Sequence, residues 1–228
     1  MVYFPTKWIR YVVASDRVVI MDLKIGEYIL FDEVASDMWL HLLSAPDFNF
    51  CLSAIAHKYG IDPTQCENDL LEFMSSCKER ELVTTTEIIE DGSIKVHIKR
   101  KSANLFTAWN CIRSTRKTLQ RVEFPALYER YSQFLKPENN PINDSYLASA
   151  LDAFRKAENF FSVTNDRFDC LPRSLSLFRF LLSIGISCDH CIGIRRFPFG
   201  AHAWVEAQNK VVGDDDSHIT KFSVINRI

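Results

Sequence analysis

No run of 18 consecutive apolar residues occurs in the 228-residue chain, so nothing in it has the length and uniform hydropathy of a membrane-spanning helix. Phosphate-binding loops are missing as well: neither G-x-x-x-x-G-K-S/T nor G-x-G-x-x-G is present, and no nucleotide site can be pointed to. Positive charge is not in excess. Lys and Arg number 27 against 29 Asp and Glu, a formal net charge of -2, which argues against a nucleic-acid coat or a polybasic membrane anchor. The opening MVYFPTKWIRYVV has Pro5, Lys7 and Arg10 where a secretory signal needs an apolar block, and this predicts a cytosolic protein. Internal repeats and low-complexity tracts are absent. What remains is an ordinary globular composition, 47% hydrophobic and 25% charged, long enough for one sizeable domain or two small ones.

Charge divides the chain unevenly. Residues 1 to 85 hold 7 Lys and Arg against 13 Asp and Glu, a net -6, and the remainder holds 20 against 16, a net +4. Between them, TTTEIIEDGSIKVHIKRKS (84 to 102) is polar, contains the Asp91-Gly92 turn signal and ends in a basic cluster. A boundary near residue 90 follows, with domains 1-90 and 91-228.

The first part reads as strands followed by helices. RVVIMD (17 to 22) and EYILFD (27 to 32) are β-branched and aromatic runs joined by a short connection, a β-hairpin pattern, and IRYVVA supplies an earlier strand. Three helical patterns come next: Glu33 to Leu43, with Val34, Met38 and Leu42 on one side and Trp39 beside them; Cys51 to Tyr59, closed by Gly60; and Pro63 to Arg80. Asp62 caps the third, Pro63 fits its first position, and Gln65 stands where a capping-box partner belongs. Cys66, Leu70, Phe73, Met74 and Cys77 form its apolar stripe, the usual sign of a core-facing helix. The order resembles a winged helix-turn-helix. DNA binding needs a basic face, and the third helix sets Lys78 and Arg80 against Glu67, Asp69, Glu72 and Glu79. Peptide recognition remains open, since an exposed strand edge can take an extended peptide as one more strand. Tyr28 to Phe31 is the expected edge strand, with Tyr28 and Leu30 on one face and Ile29 and Phe31 on the other. Leu70 and Met74 of the third helix are the expected lining of the groove beside it.

In the second part, SANLFTAWNCIRSTRKTLQRV and SYLASALDAFRKAENFF read as packing helices. The stretch DCLPRSLSLFRFLLSIG then places Cys170 and Pro172 at the head of an apolar helix in which Leu171, Leu175, Phe178 and Leu182 share a face and which Gly185 ends. Seven cysteines at irregular spacing suggest reduced thiols rather than a disulfide framework. A thiol at a helix N-terminus meets unpaired backbone N-H groups and the positive dipole end, which favour the thiolate; Asp169 opposes them. Simple burial is the bland reading of such a cysteine.

A histidine partner follows in FGAHAWVEAQNKVVGDDD, where HAWVEA and KVV flank a Gln-Asn turn as an antiparallel hairpin. If the connection is odd, for example Ala207 to Asn209 with Asn209 left-handed, then Glu206 opposes Lys210, Trp204 opposes Val212 and His202 opposes Asp214 on one face. A two-residue loop separates His202 from Asp214, so the pairing requires the odd loop or a bulge. Cys170 then reads as nucleophile, His202 as general base and acid, and Asp214 as the group that orients the imidazole, with N-H groups at the helix start, that of Cys170 included, as oxyanion donors. A strand histidine and a solvated GDDD loop are the bland readings. Cys188-x-x-Cys191 with His190 invites zinc, but no second pair completes four ligands and ISCDHCIGI alternates like a core strand. The expectation is no metal.

CLPRSLSLFRFLLSIGI, IGIRRFPFGAHAWVE and VVGDD resemble the protease part of lasso-peptide maturation B proteins, leader peptidases of the transglutaminase superfamily. RVVIMDLKIGEYILFDEVASDMWLHLL and its helices are similar to the leader-recognition domain fused in front of that protease, related to the pyrroloquinoline-quinone chaperone type. The resemblance covers nearly the whole chain, loosely between about 100 and 160. It implies an α+β protein, an N-terminal winged helix-turn-helix-like leader-recognition domain before a transglutaminase/papain-like cysteine protease domain. The family's Cys, His and Asp fall on Cys170, His202 and Asp214, with Asp215 adjoining as the other choice for the third member. The implied activity is removal of the leader from a lasso-peptide precursor, after which an asparagine-synthetase-like cyclase joins the freed amine to an acidic side chain. ATP, required in such systems, is assigned to the partner complex; no cofactor is expected on this chain. A transglutaminase-type acyl transfer and a noncatalytic peptide chaperone are the alternatives.

Overall fold

The computed structural model describes residues 2-85, 95-138, 141, 143-160 and 170-228. The chain divides into two compact units, Met1–Gly92 and Ser93–Ile228. The Asp91-Gly92 turn signal and Asp169 lie outside the described residues.

The first unit begins with β1 (Phe4–Pro5), β2 (Ile9–Ala14), β3 (Arg17–Asp22) and β4 (Glu27–Leu30), and continues through α1 (Glu33–Ser44), α2 (Phe48–Tyr59) and α3 (Pro63–Glu79) to β5 (Val83–Thr84), which pairs with β1. The antiparallel sheet runs β2-β3-β4, leaving β4 at an edge. Each helix starts where an aspartate can cap it: Asp32, Asp47 and Asp62 accept from the first-turn amides of α1, α2 and α3. The second helix therefore begins three residues before the expected Cys51. Gly60 ends it in the left-handed conformation. Met38, Trp39, Leu42, Ile55, Cys66, Leu70, Met74 and Cys77 close over Val18 and Ile20 of β3 as one core. Val34, expected on the buried side of α1, is instead exposed.

The second unit holds α4 (Leu105–Leu119), α5 (Phe124–Ser132), α6 (Asp144–Asn159), α7 (Cys170–Ser183), β6 (Asp189–Arg195), β7 (Gly200–Ala207), β8 (Lys210–Val212), α8 (Asp216–Ile219) and β9 (Ser223–Arg227). The strands form an antiparallel sheet in the order β8-β7-β6-β9. Helix α7 packs on β7 and β6, and α4 packs on α7 and α6. From Ser174 to Ser183, α7 is buried at every residue except Arg179, the condition of a helix that is apolar nearly all round. Of the four positions expected on its apolar face, Leu175, Phe178 and Leu182 are buried and Leu171 is half-buried.

The β7-β8 connection differs from the expected odd loop. Val205 faces Val212, Glu206 faces Val211 and Ala207 faces Lys210, so only Gln208 and Asn209 lie between the strands. Both are left-handed, with φ of 51 and 60°, the twist a two-residue hairpin turn needs. Extended onward, this register sets Asp215 opposite His202, not Asp214.

Beneath the sheet, His190 of β6 is fully buried. Its Nε2 lies 2.9 Å from Ser174 Oγ of α7 and its Nδ1 3.4 Å from Tyr128 Oη of α5, and Asn226 Nδ2 donates to that same hydroxyl at 2.9 Å. Cys188 donates to the Phe178 carbonyl. Cys188 and His190 of the suspected zinc motif are thus each hydrogen-bonded to their packing neighbours. Among the described residues no three His, Cys, Asp or Glu side chains group as metal ligands.

Burial holds the His190 imidazole far down, at about 3, so the folded state keeps it neutral where the unfolded chain protonates it. Full stability is present above the ordinary histidine value of ~6.5 and falls by roughly 1 kcal/mol per pH unit below it. Urea unfolding between about pH 7 and pH 4 is expected to show a steeper loss for the wild type than for His190→Gln, although the variant starts lower. Parallel curves from the two proteins count against the neutral buried imidazole.

Candidate active site

The site begins with the head of α7. Cys170 is its first residue and is half-buried, whereas the other six cysteines are buried; all seven are free thiols. Pro172 within the first turn removes one backbone donor without disturbing the helix. The amides of Leu171 and of Ala203 on β7 are directed at the Cys170 sulfur, and the His202 side chain is within hydrogen-bonding reach of it.

His202 reaches the thiol from the middle of β7, opposite Gly193 of β6. A side chain at Gly193 would meet the Trp204 ring at 2.6 Å, so glycine is what lets that indole lie across the sheet. Strand parity puts His202 and Trp204 on one face. The two rings are near-parallel at 6.3 Å, Phe222 packs at 5.6 Å from the imidazole, and the His218 ring of α8 meets it edge-on at 5.3 Å. Cys191, Trp204 and Ile219, with Val211, Phe222 and Val224, form the apolar cluster under it.

Asp214 completes the arrangement. Its Oδ2 lies 2.8 Å from His202 Nε2, and its Oδ1 accepts from the Asp215 amide at 2.8 Å. Since Nε2 faces Asp214, the nitrogen left for Cys170 is Nδ1. The two-residue turn makes this pairing impossible in a continued ladder. Strand β8 stops at Val212, and Gly213 then adopts φ +73°, which re-aims the next residue toward His202. Asp215 is used elsewhere: its carboxylate accepts from the Ser217 amide and hydroxyl and caps α8. The structure thus brings Cys170, His202 and Asp214 together and leaves Asp215 out.

Electrostatics follow the contacts. Burial pushes the Cys170 thiol up, but the His202 ring and the amides of Ala203 and Leu171 outweigh it and hold the thiol below its ordinary value. His202 is raised by Cys170 first; burial opposes this, and Asp214 adds to the rise. Each partner stabilises the other's charged form, the condition of a thiolate-imidazolium pair.

The expected peptide-binding residues are placed less uniformly. Leu30 is 48% exposed on the edge strand and Tyr28 is half-buried, both on the face away from the core. Ile29 packs against the core from its rim, and Phe31 lies inside it just beyond β4, its amide bonded to the Val18 carbonyl. Leu70 and Met74 are core residues at 0 and 8% exposure; their position on the α3 stripe gives them to the interior and takes them from any groove surface. Phe73, half-buried and 5.6 Å ring to ring from Phe31, stands where α3 meets the end of β4. Sequence reasoning also missed His218 and Phe222. Period-two parity marks Trp204, but no local pattern signals a histidine on a four-residue helix.

Among the described residues no helix is long and apolar enough to cross a membrane. Residues 17–83 match the family "Coenzyme PQQ synthesis protein D (PqqD)". Microcin J25-processing protein McjB of Escherichia coli is 42% identical over 68 residues, 30% of this chain and 33% of that protein. The chain therefore spans about a third of the length of that curated relative. A solved structure, TbiB1 in complex with the TbiA(beta) leader peptide, is 25% identical, with a TM-score of 0.34 over 37% of this chain and 98% of that one.

Two outcomes test the site. Iodoacetamide near neutral pH is expected to modify Cys170 first, because burial pushes Cys51 and Cys77 up to about 11 and Cys191 to about 12 and raises Cys66, Cys111 and Cys188. Peptide mapping that finds another cysteine labelled first contradicts the pair. Gly213→Ala forces a left-handed alanine, about 1–2 kcal/mol, and drives its Cβ to 2.8 Å from Leu177. Its Cys170 labelling rate is expected to fall about tenfold at pH 6.5; an unchanged rate contradicts the role given to that bend.

Residues 113–227, half of the sequence, match the "Transglutaminase-like superfamily"; with the PqqD-type domain in front, the resemblance to lasso-peptide maturation B proteins holds, and the chain belongs to the transglutaminase-like superfamily.

Proposed function

We propose that this protein is a cysteine peptidase that binds the leader of a lasso-peptide precursor and cleaves it from the core peptide. The single observation that carries the reading is the linked arrangement of Cys170 at a helix head, His202 within reach of its thiol and Asp214 2.8 Å from His202 Nε2. The Cys170 thiolate attacks the scissile carbonyl, and the oxyanion forms near the Cys170 amide. Imidazolium His202 gives its proton to the leaving amine as the C-N bond breaks. His202 then takes a proton from water as its oxygen attacks the thioester; the C-S bond breaks, the acid product leaves, and the thiolate-imidazolium pair is restored. Asp214 holds the ring in orientation throughout.

The first unit supplies recognition in this reading. Edge strand β4 accepts the leader as an added strand, with Tyr28 and Leu30 on one face and Phe73 of α3 replacing Leu70 and Met74 as the helix contact. The McjB relative is named as a processing protein, which agrees in kind. The freed amine passes to an asparagine-synthetase-like cyclase in the cytosol, and any ATP requirement belongs to that partner complex. No nucleic acid is involved. Product mass separates hydrolysis from amine transfer: two fragments for the former, a conjugate for the latter.

Cys170→Ala and His202→Ala are each expected to abolish cleavage with leader binding intact, and the double variant to lose little more. Asp214→Ala is expected to keep weak activity, and Asp215→Ala to be milder because it removes a helix cap. Retained cleavage by Cys170→Ala sinks the peptidase reading. In the full chain, Leu30→Glu is expected to weaken leader binding about tenfold with Cys170 alkylation unchanged; normal leader affinity overturns the strand-edge reading.

A further inference from the structure

Arg173, one turn into α7, joins three pieces of the second unit. Its Nε lies 2.7 Å from Glu158 Oε1 of α6, with Nη2 3.4 Å from Glu158 Oε2. The same Nη2 donates to the Gly213 carbonyl at 2.7 Å. We propose that Arg173 is a positioning residue for the triad, holding the Gly213 peptide so that Asp214 is presented to His202.

This rests on reading Cys170, His202 and Asp214 as one triad. A peptide unit is planar, so the Gly213 carbonyl and the Asp214 amide turn together. Fixing that carbonyl fixes the plane from which the Asp214 side chain departs. Gly213 needs such a hold, since glycine moves freely between left- and right-handed conformations, and no ladder bond of β8 extends past Val212. Arg173 is suited to supply it because a planar guanidinium presents donors in fixed directions, and the Glu158 carboxylate orients the fork. Its backbone sits three residues from Cys170. The first turn of the helix that carries the thiol therefore also carries the clamp on the aspartate loop, so the two partners of His202 are positioned from one rigid element. An isolated exposed ion pair contributes little; here the pair aims a donor.

The test is the pH dependence of Cys170 alkylation by iodoacetamide in the full chain, read by mass, which needs no peptide substrate. Wild type is expected to react with a midpoint below the ~8.5 of a free thiol. Arg173→Met is expected to raise the midpoint and slow labelling at pH 6.5 about tenfold, with circular dichroism and melting confirming the fold. Arg173→Lys, a charge without the fork, is expected to recover part of the loss, to about threefold. Glu158→Gln, which leaves Arg173 in place, is expected to lose about twofold and serves if Arg173→Met does not fold. In an Asp214→Asn background, Arg173→Met is expected to add nothing. The same fold-loss in both backgrounds makes Arg173 an independent charge on the thiolate and overturns the proposal, as does a wild-type profile for Arg173→Met. If wild-type Cys170 itself titrates as an ordinary thiol, the triad reading falls and takes this inference with it. A normal triad beside an indifferent Arg173 removes the inference alone.

Discussion

The second unit turns on one backbone residue out of register with its own hairpin. A two-residue turn fixes β8 against β7 so firmly that every later residue of β8 has its face decided by parity. By that rule Asp215 belongs opposite His202, and Asp214 points away. Ending the strand at Val212 and turning Gly213 left-handed breaks the rule at the only place where breaking it helps. The 2.8 Å contact between Asp214 and His202 is then a product of the loop, not of the sheet. Glycine enters the left-handed conformation without strain but is not held there by its own backbone preference, so neighbouring contacts must fix it. Here Leu177 closes against Gly213 from one side and Arg173 takes its carbonyl from another.

Helix α7 is the element to which those constraints are referred. Burial over almost its whole length leaves no freedom to slide or roll, because core packing is dense and a shifted helix loses contacts on every side. Polar contacts add direction to the packing. Ser174 meets His190 across the helix-sheet boundary, and Tyr128 and Asn226 continue the chain to α5 and β9. A buried polar chain of this kind is costly unless each member is satisfied, so it penalises misregistered packing more than apolar contacts do. Only the first turn of α7 emerges, and Cys170 stands there. The thiol thus sits at one end of a buried strut, where donors are open and the position is nonetheless fixed.

Much of this was legible in the sequence. Strands 9-14 and 17-22, the capped start of α3 and the helix headed by Cys170 all follow from local chemistry: β-branched runs, an Asp-Pro start, an apolar period of 3.6. His202 and Asp214 were also readable as partners, but for the wrong geometric reason. The Gln208-Asn209 dipeptide favours two left-handed residues as readily as one, and choosing one shifted the hairpin by a residue. Gly213 compensates for that error because a glycine in VVGDD can be a bend or a strand residue, and only tertiary contacts decide. The groove suffered from a different blindness. An α3 stripe identifies what is apolar, not which part of the apolar surface another segment covers, so Leu70 and Met74 looked available until the α1 and α2 side chains closed over them. Arg173, three residues from the thiol, carried no signal at all: its partners Glu158 and Gly213 are 15 and 40 positions away.

In the proposed reading, the step assigned to the cysteine at the helix head does not itself choose a product. A thioester on Cys170 is open to water or to an amine, and an imidazole that deprotonates one can deprotonate the other. Substrate choice must therefore come from how a peptide is held. In the second unit a cleft lined by His97, Arg100, Lys136, Tyr146 and Ile184 lies at the C-terminal end of α7, about 20 Å of helix from Cys170 at 1.5 Å per residue. It belongs to the opposite end from the thiol. If a leader is held by the first unit, the covalent connection between the units keeps the following peptide at an effective concentration that free substrate does not reach. The thiol then needs little affinity of its own. Recognition and chemistry become separable free energies: weakening the leader contact raises KM and spares the thiolate, whereas loosening Gly213 or Asp214 lowers the chemical rate and spares binding. On that reading, a PqqD-type domain in front of a transglutaminase-like one is an economical way to obtain selectivity that the proposed triad alone does not provide.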